Sequence, residues 1–156
     1  MARSSKGTAH LNRDFRDLLA AFNRRRARYL VVGAYAVMRY TEPRYTKDLD
    51  VWVDTAPDNA TRVYNALAEF GGPLKGFSPD DFQQRYSVFQ LGVEPLRVDV
   101  IGHIDGVRFP TAWEKRRTSR INGLTVHFIS KDDLIRNKRA SGRRQDLIDL
   151  ENLRSL

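Results

Sequence analysis

Two aspartates, Asp48 and Asp50, stand two residues apart in a segment whose pattern predicts a β-strand over 47–54. Because side chains alternate along a strand, both carboxylates face the same way and repel each other. A divalent cation turns that repulsion into a binding site, since Mg²⁺ is typically held by one or two carboxylates, waters and substrate phosphates. An Asp-x-Asp pair alone is a weak signal, because most such pairs are strand-end or turn residues.

The segment before this pair strengthens the metal interpretation. A short apolar run over 29–32 predicts a buried strand, Gly33 interrupts it, and a short helix is expected over 34–40. Pro43 ends that helix, because the residue before a proline is pushed out of the α region. Backbone N–H groups of Gly33 and Ala34, at the start of the helix, can approach a phosphate closely because glycine leaves room.

Asp99 is the candidate third carboxylate. It lies in a predicted strand over 96–101, where Arg97 and Asp99 share one face and the apolar residues share the other. Such a strand can pair beside the one that carries Asp48 and Asp50. The alternative is a simple ion pair between Asp99 and an arginine such as Arg97. His103, just past this strand, is interpreted as an ordinary loop residue.

These residues resemble a known group of enzymes. Gly33-Ala34, followed after thirteen residues by Asp48-Leu49-Asp50, is similar to the glycine-serine (or glycine-glycine) to Asp-x-Asp signature of the DNA polymerase β-like nucleotidyltransferase superfamily. The stretch from Arg44 to Asp50 resembles the branch of AbiEii-type toxin nucleotidyltransferases and their small relatives. Ala34 departs from the pattern, because it has no hydroxyl to hold a phosphate. The resemblance implies an α/β (α+β) nucleotidyltransferase fold, with a mixed twisted sheet of about five strands and helices packed against it.

The resemblance also implies a cofactor and further site residues. The three aspartates would hold two Mg²⁺ (or Mn²⁺) ions, with a nucleoside triphosphate as substrate. Lys138, Arg144 and Asp146 would complete the nucleotide site, and Arg44 could contribute from its loop. The alternative for the C-terminal residues is a basic helix followed by surface aspartates.

Composition sets broad limits on the protein. The 156 residues suit a single domain over 10–156 after a flexible tail over 1–9. There is no cysteine, which excludes disulfides and zinc–thiolate sites and fits a cytoplasmic protein. No apolar stretch suits a membrane span or a signal peptide. The net charge of +8 favours polyanionic partners, although general basicity would explain it too.

The other elements follow from periodicity and turn chemistry. Helices are predicted over 10–27, 58–70 and 144–153, and another begins after a Ser130 cap. Asn122-Gly123 predicts a β-hairpin with a type I′ turn. In that hairpin, His127 is expected to point to solvent.

Four functions remain open from the sequence. The leading hypothesis is an active toxin-like nucleotidyltransferase that modifies an RNA end, with tRNA as the obvious candidate, or a protein hydroxyl. The same fold could instead serve as an antitoxin that modifies a cognate toxin partner, or as an enzyme that modifies a small antibiotic. The fourth is a catalytically degenerate domain that binds nucleotide or nucleic acid, which the alanine at position 34 keeps open.

Overall fold

The computed structural model describes residues 12–44, 46, 48–92 and 97–155. Within these ranges a single mixed sheet contains the six strands β1 (Tyr29–Val32), β2 (Asp48–Val53), β3 (Val88–Leu91), β4 (Arg97–Ile101), β5 (Arg117–Ile121) and β6 (Leu124–Phe128). Their spatial order is β3-β4-β2-β1-β6-β5. The predicted mixed α/β architecture is confirmed, but the count of about five strands is one too low. The sixth arises because β6 pairs with β1, which brings the whole β5–β6 hairpin into the same sheet.

Helices lie against this sheet and around its ends. In the described part of the chain they are α1 (Arg13–Arg24), α2 (Gly33–Tyr40), α3 (Pro57–Phe70), α4 (Phe109–Glu114), α5 (Lys131–Ser141) and α6 (Arg144–Arg154), with a 3₁₀ turn at Pro79–Gln83. None of these described helices has the length and apolar character needed to cross a bilayer. The proposed tail over 1–9 lies outside the described residues.

Strand β2 lies in the middle of the sheet. One of its faces packs in the hydrophobic core, and the other carries Asp48 and Asp50. Leu49, Val51 and Val53 point to one face and belong to the hydrophobic core. β2 runs antiparallel to β1 and parallel to β4. Because these two neighbours hold it on both edges, the direction of its remaining side chains is fixed by the sheet and not by a loop.

Local signals explain most helix ends, with some differences from expectation. The Asn12 side chain accepts a hydrogen bond from the Phe15 N–H and starts α1, so this helix begins later than position 10. It also ends at Arg24, before the predicted end at position 27, and Arg26 has a positive φ of 56°. Helix α3 begins one residue earlier than the predicted start at position 58. Ala56 is the N-cap and Pro57 takes the first helical position, where its missing N–H costs nothing.

The β5–β6 hairpin confirms one prediction and corrects another. Asn122 and Gly123 both have positive φ, 51° and 81°, as a type I′ turn requires. His127, expected to face solvent, is half-buried, with its ring 5.3 Å from each of the Tyr29 and Trp113 rings. Burial and the nearby Arg116 lower the pKa of His127. Helix α4 places Trp113 against His127, so it covers the face of β6 that side-chain alternation alone predicts to be exposed to solvent.

Candidate active site

Pairing of β2 with β4 brings three aspartates onto one face of the sheet. The register sets Asp50 directly opposite Asp99, and Asp48 opposite Arg97. Alternation places Asp48 and Asp50 on the face away from Leu49 and the core. Three carboxylates from two adjacent parallel strands therefore share a small area, together with one arginine.

The electrostatics of Asp50 reflect this crowding. Burial raises the pKa of Asp50 to about 6, with further increases from the Asp99 and Asp48 carboxylates and partial compensation by Lys138 and Arg97. Burial also raises the pKa of Asp99, which Arg97 opposes and Asp48 reinforces. Burial and mutual repulsion therefore both disfavour the charged forms of Asp50 and Asp99.

Gly33 lies immediately against Asp50. A Cβ at position 33 would overlap Asp50 Oδ2 and come within 3.0 Å of its Cγ, and Gly33 has φ of +67°. Glycine is therefore required for both space and backbone conformation. Val32, which precedes it, is opposite Asp50 in the β1–β2 register. The first turn of α2, including the half-exposed Ala34, consequently begins beside the carboxylates.

Arg97 lies among the three carboxylates. Its Nη2 is 3.3 Å from Asp48 Oδ2, and its Nε is 3.4 Å from Asp99 Oδ1. The second contact lacks hydrogen-bond geometry, and the buried Asp48 Oδ1 and Asp99 Oδ1 have no hydrogen-bond partner. Both interpretations from sequence therefore hold in part: Asp99 contacts an arginine, and it also faces the other two aspartates.

These oxygens fit the chemistry of a hard divalent cation. Two buried carboxylate oxygens without hydrogen bonds are unusual in a folded protein, and Mg²⁺ needs only one or two carboxylates when substrate phosphates supply other ligands. The described residues include no ready-made cluster of three or more acidic or histidine side chains around one point. A cation here would therefore depend on the nucleotide to complete its ligands.

A cavity of about 310 Å³ opens beside Asp50, and we call it the first cavity. Gly33 and Asp50 line it, together with Lys138 and Arg143. His103, which follows β4, also lines it. This volume lies at the lower end of the range for small-molecule sites. The cavity thus joins the carboxylates to cationic side chains from α5 and the start of α6.

Lys138 reaches this cavity from a buried ion-pair network. Its Nζ lies 3.0 Å from Asp146 Oδ1 and 3.3 Å from Asp149 Oδ2, and all three residues are buried. Burial opposes ionisation of Asp146, but hydrogen bonds from Arg143, Ser141 and Lys138 outweigh it and hold the pKa of Asp146 well below its usual range. Asp146 therefore fixes the position of Lys138 from behind.

Arg44 belongs to the same network, from the loop before β2. Its guanidinium donates to both carboxylate oxygens of Asp149, at 2.6 and 3.4 Å. Burial raises the pKa of Asp149, but hydrogen bonds from Arg44 and Gln145 prevail and leave it lowered. Arg44 thus ties the loop that leads into the Asp-x-Asp strand to helix α6.

The arginine at the cavity differs by one position from the one expected. Arg144 is exposed on α6 and is not among the residues that line the first cavity, whereas Arg143 is. Gly142 ends α5 in the left-handed conformation, so Arg143 becomes the N-cap of α6 and bonds Asp146 at 2.7 Å. Sequence reasoning also missed Asp149, although its spacing of three residues from Asp146 signals a shared helix face.

Comparisons with known proteins identify the family of the chain. A family model described as "Nucleotidyltransferase of unknown function (DUF6036)" matches residues 9–154. The sequence matches no curated protein.

Solved structures of nucleotidyltransferases share the fold. The chain is similar to the lincosamide antibiotic adenylyltransferase LnuA in its lincomycin-bound form, with a TM-score of 0.55 and 17% identity over 93% of this chain and 97% of that one. It is similar to a candidate nucleotidyltransferase from Thermotoga maritima, with a TM-score of 0.56 and 16% identity over 94% of both chains. An antigenic nucleotidyltransferase-like protein from Paracoccidioides brasiliensis gives 0.51 and 19%, over 88% of this chain and 72% of that one.

These identities are low enough that the neighbours speak for the fold alone, whereas the family model covers nearly the whole chain. The chain belongs to the DUF6036 family of nucleotidyltransferases.

Proposed function

We propose that this protein transfers a nucleoside monophosphate from a nucleoside triphosphate to an acceptor hydroxyl. The acceptor oxygen forms a bond to the α-phosphorus, the bond from that phosphorus to the bridging oxygen of pyrophosphate breaks, and pyrophosphate leaves. The observation that carries the proposal is the pairing of Asp50 with Asp99, beside Asp48 and against Gly33. This arrangement would bring the proposed metal-binding carboxylates and the proposed phosphate-binding turn at Gly33 to one face of the sheet.

Asp48, Asp50 and Asp99 are the residues that would hold Mg²⁺ or Mn²⁺. When bound there, the metal supplies charge neutralisation for the triphosphate and lowers the pKa of the attacking hydroxyl. For Asp99 we propose a second role, in which its unpartnered Oδ1 accepts the proton of that hydroxyl. Arg97 holds Asp48 and Asp99 in place until the substrate arrives.

The cationic and backbone groups around the first cavity are proposed to bind the triphosphate. Backbone N–H groups of Gly33 and Ala34 approach the phosphates at the start of α2. Lys138, fixed by Asp146, presents a positive charge to the cavity, and Arg143 adds another. Arg44 acts by positioning the loop through Asp149, and we propose no contact with nucleotide for the exposed Arg144.

For the acceptor, we propose an RNA end, with a protein hydroxyl as the other possibility within a toxin-like system. The net charge of +8 supports a polyanionic partner. A second candidate function is a domain that binds nucleotide without turnover, or an antitoxin of the same fold. It is favoured by Ala34, which removes a phosphate-holding hydroxyl, and by the ion pairs of Arg97 with the candidate metal ligands.

A transfer experiment tests the proposal. The protein is incubated with each α-labelled nucleoside triphosphate and Mg²⁺ or Mn²⁺, together with total RNA or a cell lysate. We expect label to move to RNA, and to a protein band if the acceptor is a protein hydroxyl. Asp50→Asn should abolish transfer, whereas Asp17→Asn, an equal charge change at an exposed position of α1, should not. Nucleotide binding without any transfer would replace the proposal with the binding-domain alternative.

A further inference from the structure

A second cavity, of about 320 Å³, lies next to the first on the same sheet face. Trp52, two residues beyond Asp50 in β2, lines it together with Phe109 of α4, and the two rings meet edge to face at 5.0 Å. His103 lines both cavities. The two cavities therefore meet at His103, and we call this place the junction. A molecule in the second cavity would have one end at the junction, next to the candidate active site.

The second cavity is electropositive. Arg85 and Arg108 line it, both are exposed, and neither forms an ion pair within the described part of the chain. The acidic side chain among its lining residues, Asp54, is paired with Arg28, whose Nε lies 2.8 Å from Asp54 Oδ2 and which also contacts Asp58. Two uncompensated guanidinium groups repel a cationic acceptor and favour one that carries phosphate.

An exposed aromatic surface runs along the rim of this cavity. Tyr86 is 72% exposed, which is unusual for a large aromatic side chain. The guanidinium of Arg85 lies 5.2 Å from the Tyr86 ring centroid, and the His103 ring lies 4.8 Å from it on the way to the first cavity. Tyr86 thus contacts both an arginine and a histidine while most of its surface stays exposed, and such an exposed ring is a platform on which a nucleobase can stack.

We infer that the second cavity binds the acceptor and that this acceptor is the end of an RNA strand. Its phosphates contact Arg85 and Arg108, its terminal base lies against Tyr86, and its terminal hydroxyl reaches the junction at His103. The inference rests on the proposed function, because it assigns a binding site to the RNA acceptor of the same reaction. It excludes a cationic antibiotic from this cavity and leaves a protein acceptor as an outcome of the test.

The size of the effect follows from counterion release. For single strands, each neutralised phosphate adds about 0.7 to the slope of log affinity against log salt, so two arginines contribute about 1.4. At about 0.1 M salt, one decade below a reference of about 1 M, this corresponds to about 25-fold in affinity.

The experiment measures binding of a fluorescein-labelled single-stranded RNA of about 12 nucleotides by anisotropy between about 50 and about 200 mM KCl. The double variant Arg85→Gln/Arg108→Gln should bind about 25-fold more weakly at about 0.1 M salt, with a salt slope smaller by about 1.4. The matched variant Arg13→Gln/Arg16→Gln removes the same charge from exposed positions on α1 that line neither cavity, and should bind like wild type. Tyr86→Ala should weaken binding without changing the slope.

Calorimetric titration of each nucleoside triphosphate in Mg²⁺ separates this inference from the proposed function. The Arg85/Arg108 double variant should bind nucleotide as wild type does. RNA binding that is equal in wild type and both double variants, or absent from wild type, would overturn the inference. So would label transfer to protein that is unaffected by loss of the two arginines. A wild-type protein that binds no nucleotide would instead overturn the proposed function, whatever the RNA result.

Discussion

Replacing Asp50 with asparagine should stabilise the folded protein at neutral and alkaline pH. The asparagine would keep the shape of the side chain beside Gly33 but remove a charge that burial and two neighbouring carboxylates disfavour. The negative charge of Asp50 therefore does not contribute to the stability of the fold. The prediction therefore separates a carboxylate held for function from one held for packing.

The magnitude follows from the pKa of Asp50. Its value of about 6, compared with 3.8 for an ordinary aspartate, means that the folded state binds the proton more tightly than the unfolded state. The stability from this proton is fully present below pH 3.8 and is lost as the pH rises through about 6. At about 1.4 kcal/mol per pKa unit, Asp50→Asn should raise the free energy of unfolding by about 3 kcal/mol at about pH 8 and by almost nothing near about pH 4.

Urea denaturation followed by tryptophan fluorescence at about pH 4.5, 6 and 8 measures this difference. Asp17→Asn controls for the effect of lost negative charge on a basic protein, and should change stability little at any pH. Mg²⁺ with nucleoside triphosphate should then stabilise wild type more than the Asp50 variant, because the variant lacks one of the three carboxylates proposed to hold the metal. A variant that is less stable than wild type at the highest pH, or a difference that does not shrink with acidification, would refute the reasoning.

Three further predictions use the same denaturation assay. Gly33→Ala should destabilise the protein by about 2 kcal/mol or more, through overlap with Asp50 and strain at positive φ. Adding Asp50→Ala should recover the part of this stability loss that the overlap causes. A double variant as unstable as Gly33→Ala alone would contradict the contact between Gly33 and Asp50. Lys138→Met should cost about 3 kcal/mol, because Asp146 and Asp149 lose the buried cation between them, and an unchanged urea midpoint would count against the network. Acidification from about pH 5 to about pH 3 should destabilise the Asp50→Asn variant, in which the opposing titration of Asp50 is absent, since the lowered pKa values of Asp146 and Asp149 give stability that is present above their unfolded values and lost as the pH falls. A flat profile of this variant over that range would disagree.

The part of the site carried by strands could be predicted from the sequence. Alternation in β2 and β4 identifies the faces of Asp50 and Asp99 without knowledge of the fold. The spacing from Gly33 to Asp48 then suggests that a turn meets the same strand, and the structure places Gly33 against Asp50. The relation between Asp50 and Asp99 needs only the pairing of β2 with β4, because two strands that pair in parallel have only to align for their same-face residues to meet.

The part carried by helix ends and loops could not be predicted in the same way. Whether Arg143 or Arg144 enters the first cavity depends on Gly142, whose left-handed conformation sets the start of α6. A change of one residue at that point rotates every later side chain by about 100° around the helix axis. Asp149 and Arg44 meet across more than a hundred residues, and no spacing rule connects them.

The second cavity was hidden from the sequence for a different reason. Its walls come from β2 and the residues that follow it, from Arg85, from the loop after β4 and from the start of α4, and these segments are far apart in the sequence. His103 has no signal of its own in the sequence, since an isolated loop histidine is common. Its significance comes from lying where two cavities meet.

Arg97 explains how the acidic site remains folded before substrate binds. Three carboxylates on one sheet face would repel each other strongly without a counter-charge, and Arg97 contributes that charge from the same strand as Asp99. Its contacts with Asp48 and Asp99 are long, at 3.3 and 3.4 Å, and leave Asp48 Oδ1 and Asp99 Oδ1 without hydrogen bonds. An arginine that neutralised the site fully would compete with a metal, whereas this partial pairing lowers the repulsion and still leaves oxygens to bind one. The incomplete contacts of Arg97 therefore support the proposed metal site, which would need both partial neutralisation and free carboxylate oxygens.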